Sequence, residues 1–138
     1  MRTITLLAVF ILGIQWTTAQ TDKAAITATL MDYIEGTSKG QPERIKRAFH
    51  SDLNLYSIDA EQQLRALPGT QYIGYFKEGE TNDRDGKIVS IDVVNDAAMA
   101  KVEIDVPSRK RLYTDYMMLL KIQGEWKIVH KSFTSEAY

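Results

Sequence analysis

The chain contains no cysteine. That absence excludes disulfide frameworks, thiolate zinc sites, a cysteine nucleophile and a lipid-anchored cysteine behind a leader. Histidine is scarce as well: His50 and His130 are the only two. No HxH or HExxH spacing joins them, so the expectation is no metal site and no cofactor. GxSxG, GxGxxG and the phosphate-cradling P-loop are all missing, which removes the common nucleophile elbow and the nucleotide-binding fingerprints. Charge of one sign is missing too, with 17 basic residues against 18 acidic ones. Without a basic stripe to track phosphates, nucleic acid is not an expected partner. There is no internal repeat and no low-complexity segment.

The 138 residues suffice for one domain with a real core, and not for two. At the N-terminus, Arg2, the apolar run 4–14 and the small-residue motif Thr17-Thr18-Ala19 have the order of an export signal. The apolar run is shorter than the roughly 20 residues a transmembrane helix needs. We therefore expect a cleavable signal peptide over 1–19, a single domain over 20–138, and a secreted or periplasmic protein with no membrane contact once the leader is gone. The leader's one charge is Arg2, so its removal takes the net charge from −1 to −2.

The spacing predicts a helix over 22–36, with Ile26, Leu30, Tyr33 and Ile34 in one apolar stripe. Thr21 or Asp22 caps it, Gly36 ends it and Gly40 marks the turn. Pro42 opens a second, shorter helix at the position where a missing N–H costs nothing. Ile45, Ala48 and Phe49 face inward there, while Arg44, Lys46 and Arg47 face water. His50-Ser51-Asp52 stops that helix, with His50 as a polar cap. A strand follows over 53–58, turning at Asp59-Ala60-Glu61 into a partner over 62–67. Pro68-Gly69 closes the pair, and Thr70 caps a third helix that carries Tyr72, Ile73 and Phe76 inward. The polar segment 79–86 reads as a mobile loop. Two further strands, 88–94 and 98–106, flank Asn95-Asp96.

The last stretch, 113–133, is two strands around Gln123-Gly124-Glu125, a hairpin turn. Strict alternation sets Tyr113, Asp115, Met117 and Leu119 on one face of the first strand and Thr114, Tyr116, Met118 and Leu120 on the other. In the second it groups Trp126, Ile128, His130 and Ser132, opposite Lys127, Val129, Lys131 and Phe133. The first strand is apolar on both faces, as a strand buried against its own domain and again against a partner or ligand must be. Which face is inner stays open. The whole predicts an α+β domain, helices packed on one face of a strongly curved antiparallel sheet, with a cone-shaped cavity between them.

Helix one with Tyr33-Ile34, Pro42-Glu43-Arg44-Ile45 opening helix two, and Phe49-His50-Ser51-Asp52 ending it resemble the nuclear-transport-factor-two-like superfamily. Within it, ALPG (66–69), IVSIDVVNDAAMAKVEIDVP (88–107) and TDYMMLLKIQGEWKIVHKSF (114–133) resemble the bacterial family described as "putative lumazine-binding". The resemblance covers essentially all of the mature chain and implies the cone fold, a small-molecule ligand and a homodimer through the outer sheet face; the aromatic side chains suit a flat heteroaromatic or a terpenoid-like ligand. Activity does not follow from it, since this fold carries isomerases, cyclases, dehydratases and plain binders.

Candidate ligand-binding residues are Tyr33, Tyr56, Tyr113, Asp115, Trp126 and His130, aromatic surface with polar tips. Tyr72 and Trp126 serve equally well as core. Ketosteroid isomerases of the superfamily use an aspartate base and an oxyanion hole of a tyrosine and a protonated aspartate. Tyr33 matches the tyrosine, Asp115 stands a few residues early for the second aspartate, and the base position falls on Ser57, with Asp59 two residues away, so one of the three roles matches. Three readings follow: a binder without catalytic machinery; an enzyme using Asp115 or His130 as acid/base beside Tyr33; and a structural homodimer. The enzyme reading requires Asp115 and His130 on one side of the sheet. The structural reading requires a cavity filled by Phe49, Phe76 and Met117.

Overall fold

A computed structural model describes the backbone of residues 5–138 and the side chains from Thr18 onward. The leader expected over 1–19 thus lies outside the described side chains, save its last two residues. Helix α1 spans Thr5–Ser38, α2 Pro42–Ala48 and α3 Gly69–Ile73. The strands are β1 Asn54–Ile58, β2 Leu64–Pro68, β3 Asp85–Val94, β4 Ala97–Val106, β5 Arg111–Ile122 and β6 Glu125–Ala137. They form one sheet in the order β2-β1-β6-β5-β4-β3. Every neighbouring pair is antiparallel except β1 and β6, which run parallel. No helix among the described residues is long and apolar enough to cross a membrane.

The stripe read from the sequence is the packed face of α1: Ile26, Leu30, Tyr33 and Ile34 are all buried. They meet Ile45, Ala48 and Phe49 of the α2 region, and Val102, Ile104, Met117, Leu119 and Ile128 of the sheet, in one apolar cluster. Asp22 is the first buried residue among those with described side chains. Its carboxylate accepts from Trp126 Nε1 at 3.1 Å and Lys121 Nζ at 2.8 Å, tying the helix to the far end of the β5–β6 hairpin. Arg44 and Arg47 do not simply face water. Arg44 bonds Asp32 and Glu35, and Arg47 bonds Asp32, so the two helices are bridged on their outer side as well.

Gly36 does not end α1. The helix continues to Ser38, and the residue serves the contact with α2 instead: a Cβ there would sit 2.8 Å from Ile45 Cγ1 and 3.2 Å from Ile45 N. Thr70 is likewise inside α3 rather than its cap, and Pro68 stands at the cap position. The loop expected over 79–86 is shorter, because Asp85 and Gly86 already pair with β4. At the hairpin tip, Gln123 and Gly124 both have positive φ, 51° and 85°, which is the backbone of the tight turn expected there.

One irregularity decides which residues face the helices. Leu119 pairs with Ile128, yet Met118 pairs with His130, so Val129 is an extra residue in β6. Such a bulge turns every later side chain to the other face. It sits where the chain leaving α2 joins the sheet: Phe49 bridges to Ile128, and His50 N donates to Ile128 O at 2.9 Å. The alternation of β6 is therefore broken in its middle. Trp126 and Ile128 point inward, His130 and Ser132 outward, and Lys131 and Phe133 inward again.

Candidate functional site

Between the sheet and α3 lies an open cavity of about 560 Å³. Its floor comes from neighbouring strands. Asp115 on β5 and Lys131 on β6 both line it, although they are only 1% and 3% exposed. Phe133 and Tyr113 continue the sheet side, while Tyr72, Tyr75 and Phe76 form the α3 side. Arg84 reaches in from just before β3, and Arg65, Arg109 and Ser57 stand around the cavity as well. The inner ends of Phe49 and Met117 are core, and they do not fill the space.

The polar floor is a connected network. Lys131 Nζ lies 2.8 Å from Asp115 Oδ2 and donates to the Tyr33 hydroxyl at 2.6 Å. Tyr33 in turn donates to Asp115 Oδ2 at 2.7 Å. Beyond it, Tyr72 OH lies 3.5 Å from Tyr33 OH and accepts from Arg84 Nη2 at 3.3 Å. Burial, and then the negative charge of Asp115, push the Tyr33 hydroxyl well above the ordinary tyrosine range, so it stays a neutral phenol and a donor. Three rings enclose the Lys131 ammonium, with centroids of Tyr33, Tyr72 and Phe133 at 4.7, 5.2 and 5.2 Å. Two atoms of the network are left without partners: Asp115 Oδ1 and Arg84 Nε, both buried.

Of the six residues read from the sequence as ligand-binding, Tyr113 and Asp115 line the cavity. Tyr33 is fully buried just behind it and acts on it through Asp115 and Lys131. Trp126 is core, spent on Asp22 at the opposite end of the sheet. Tyr56 and His130 stack on each other at 5.2 Å on the outer face, where His130 Nε2 also bonds Ser132 Oγ at 2.7 Å. Asp115 and His130 thus stand on opposite sides of the sheet, which removes the enzyme reading in the form expected from the sequence, with Asp115 or His130 as acid/base beside Tyr33. Ser57, at the isomerase base position, lines the cavity. Asp59 is instead consumed in the β1–β2 turn, accepting from the amides of Glu61 and Gln63. His50 closes a turn by accepting the Asp52 amide at 3.3 Å. Among the described residues no three His, Asp or Glu side chains converge as a metal site.

Sequence reasoning missed Lys131 and Arg84. The bulge that turns Lys131 inward carries neither glycine nor proline, so alternation set Lys131 opposite Trp126 and Ile128, whose face it shares. Arg84 sits in a polar stretch that reads as loop. Pairing the hairpin outward from the Gln123-Gly124 turn without the bulge sets Ser132, not Lys131, opposite Asp115, so the pairing gave no signal for this ion pair.

Residues 21–134 match the family described as "Putative lumazine-binding". The chain belongs to this family. A curated relative, aldolase FrzH of Cladobotryum sp., is 31% identical over 113 residues, which cover 80% of this chain and 89% of the relative. Among solved structures, an NTF2-like protein of Shewanella baltica OS155 is similar with a TM-score of 0.75 and 26% identity, covering 86% of this chain and 96% of that one. Another NTF2-like protein, from Silicibacter pomeroyi DSS-3, has a TM-score of 0.73 and 25% identity, covering 86% and 98%. The lumazine-binding family match spans everything from the start of the buried part of α1 to the end of the cavity-lining part of β6.

Proposed function

We propose that the cone binds a small, flat, oxygen-bearing molecule of acidic character, seated on Lys131, Asp115 and Arg84 between the rings of Tyr72, Phe76, Tyr113 and Phe133. The observation that carries this reading is the pair of orphaned buried atoms at one cavity, Asp115 Oδ1 and Arg84 Nε. A buried polar group left unmet costs about 1–3 kcal/mol, and a ligand offering a donor beside an acceptor removes both costs. Cations outnumber anions around the space, Arg65, Arg84, Arg109 and Lys131 against Asp83 and Asp115, which favours an acidic ligand. Lumazine, named in the family's description, is a flat dione with N–H donors next to carbonyl acceptors, and so has the required shape and pattern. Titration calorimetry with lumazine and with aromatic carboxylates tests the reading. One molecule bound per chain is expected, roughly 10- to 100-fold weaker in Arg84→Ala, as the loss of one charged hydrogen bond implies. If no compound of either class binds, or if Arg84→Ala binds unchanged, the reading fails.

A second reading, carbon–carbon bond chemistry of aldol type, is favoured by the aldolase relative and by the Lys131–Asp115–Tyr33 cluster at the cavity floor. This form differs from the one expected from the sequence: Lys131 stands beside Asp115 and Tyr33 in place of His130. Export of the mature domain after a leader over 1–19 is part of the same proposal, supported by the order of Arg2, the apolar run and Thr17-Thr18-Ala19. So is a homodimer through the outer sheet face, supported by adjacent exposed Met99, Tyr116, Met118 and Leu120 on paired strands.

A further inference from the structure

The site just described contains an amine placed for more than recognition. Lys131 is the only buried lysine among the described residues. A lysine in water is a hydrated, protonated point charge, whereas a buried one that passes its proton to a neighbouring base offers its lone pair to carbonyl carbon. We propose that Lys131 forms an imine with an enolisable ketone or aldehyde held in the cone, its acidic group directed to Arg84. This rests on the ligand-binding reading above and names its chemistry. Asp115 Oδ2 at 2.8 Å takes a proton from Nζ without any rearrangement. Rings of Tyr33, Tyr72 and Phe133 lie around the amine, and the cavity it lines admits the carbonyl. The product suits the site as well as the reactant does. An iminium carries the same single positive charge at the same nitrogen, so the pairing with Asp115 and the contacts with the rings survive the reaction.

The step balances within these groups. The ammonium gives one proton to Asp115, and the freed lone pair forms the N–C bond while the carbonyl π pair moves onto oxygen. That oxygen takes a second proton from the nitrogen, by way of the Tyr33 hydroxyl, giving the carbinolamine. Asp115 returns its proton to the hydroxyl, which leaves as water as the nitrogen lone pair closes the C=N bond. One carbonyl and one ammonium become one iminium and one water, with no oxidant or reductant. Asp115, once more a carboxylate with Oδ1 unpartnered, is then the group beside the acidified α-carbon. Removing that proton leaves an enamine, the carbon nucleophile of an aldol addition.

The test is reductive trapping on the intact chain. Pyruvate, a keto acid of the required charge, is mixed with the protein and sodium borohydride, and the mass and modified peptide are read. The expected result is a single adduct per chain at Lys131, absent in Lys131→Arg, which keeps the charge beside Asp115 but forms no imine. Acetylacetone, whose lysine adduct persists without reduction, is expected to mark the same residue. Circular dichroism and the melting temperature establish that Lys131→Arg is folded. Adducts spread over exposed lysines such as Lys23, Lys46 and Lys77, or none at Lys131 with either probe, overturn the imine. Lumazine binding measured alongside separates the two readings: binding without an adduct overturns the imine alone, and an adduct without binding overturns the choice of ligand class alone.

Discussion

Lys131 and Asp115 are buried charges that the interior tolerates only as a pair. Removing one side should therefore cost more than removing both. Lys131→Met is expected to lower the unfolding free energy by about 3–5 kcal/mol, and Lys131→Met with Asp115→Leu to recover most of that loss, both read by urea denaturation. Tyr33→Phe removes a hydroxyl that serves both partners and should cost about 1–3 kcal/mol. The pH limits follow from two shifts of opposite sign. Tyr33 holds its proton more tightly folded than unfolded, so its contribution is intact below about pH 10 and is lost as pH rises beyond it. Tyr33→Phe should flatten that alkaline fall in melting temperature. Asp22 is shifted the other way by its bonds from Lys121 and then Trp126, so its contribution is present at neutral pH and is lost as pH drops below about 4. Asp22→Asn should flatten the acid limb. At this scale Tyr33 and Asp115 were legible, because a helix stripe and a strand face each fix where a side chain points. Lys131 was not, because its direction depends on one inserted residue.

The elements show where periodicity suffices and where it breaks. The α1 stripe, the Pro42 helix start and the Gln123-Gly124 turn are local and were readable as such. Gly36 looked like a helix end, since glycine is the usual residue there, but a tertiary contact with Ile45 explains it. Gly36→Ala gains helix propensity of at most about 1 kcal/mol and forces a backbone contact at 3.2 Å, so a net loss of roughly 1–2 kcal/mol in thermal or chemical unfolding is expected. The bulge at Val129 is the element-level feature that hides Lys131 from strict alternation. Deleting Val129 closes the bulge and leaves His130 opposite Met118, so His130 stays outward and Lys131 inward. Borohydride labelling of Lys131 and ligand binding should both survive in that variant, whereas Lys131→Arg loses the labelling.

At the scale of the fold, the six strands and three α-helices of the described residues leave a cavity on one face of the sheet and an apolar surface on the other. The order of elements and the cone were legible, because sequential hairpins and a helical hairpin admit few arrangements. Which face is inner was not, since β5 is apolar on both. Met99 at 55% and Met118 at 45% exposure lie paired on the outer face, beside Tyr116. Met118→Lys should turn a dimer into a monomer in sedimentation velocity while leaving the cavity intact, and an unchanged mass would remove the dimer proposal. The central claim, that the cone is a small-molecule site built on Lys131, Asp115 and Arg84, is tested most directly by native mass spectrometry of the chain purified from its own host. We predict one bound small molecule per chain, lost from Arg84→Ala. A chain that flies empty and stays empty with lumazine, or an Arg84→Ala variant that carries the same molecule undiminished, would contradict it.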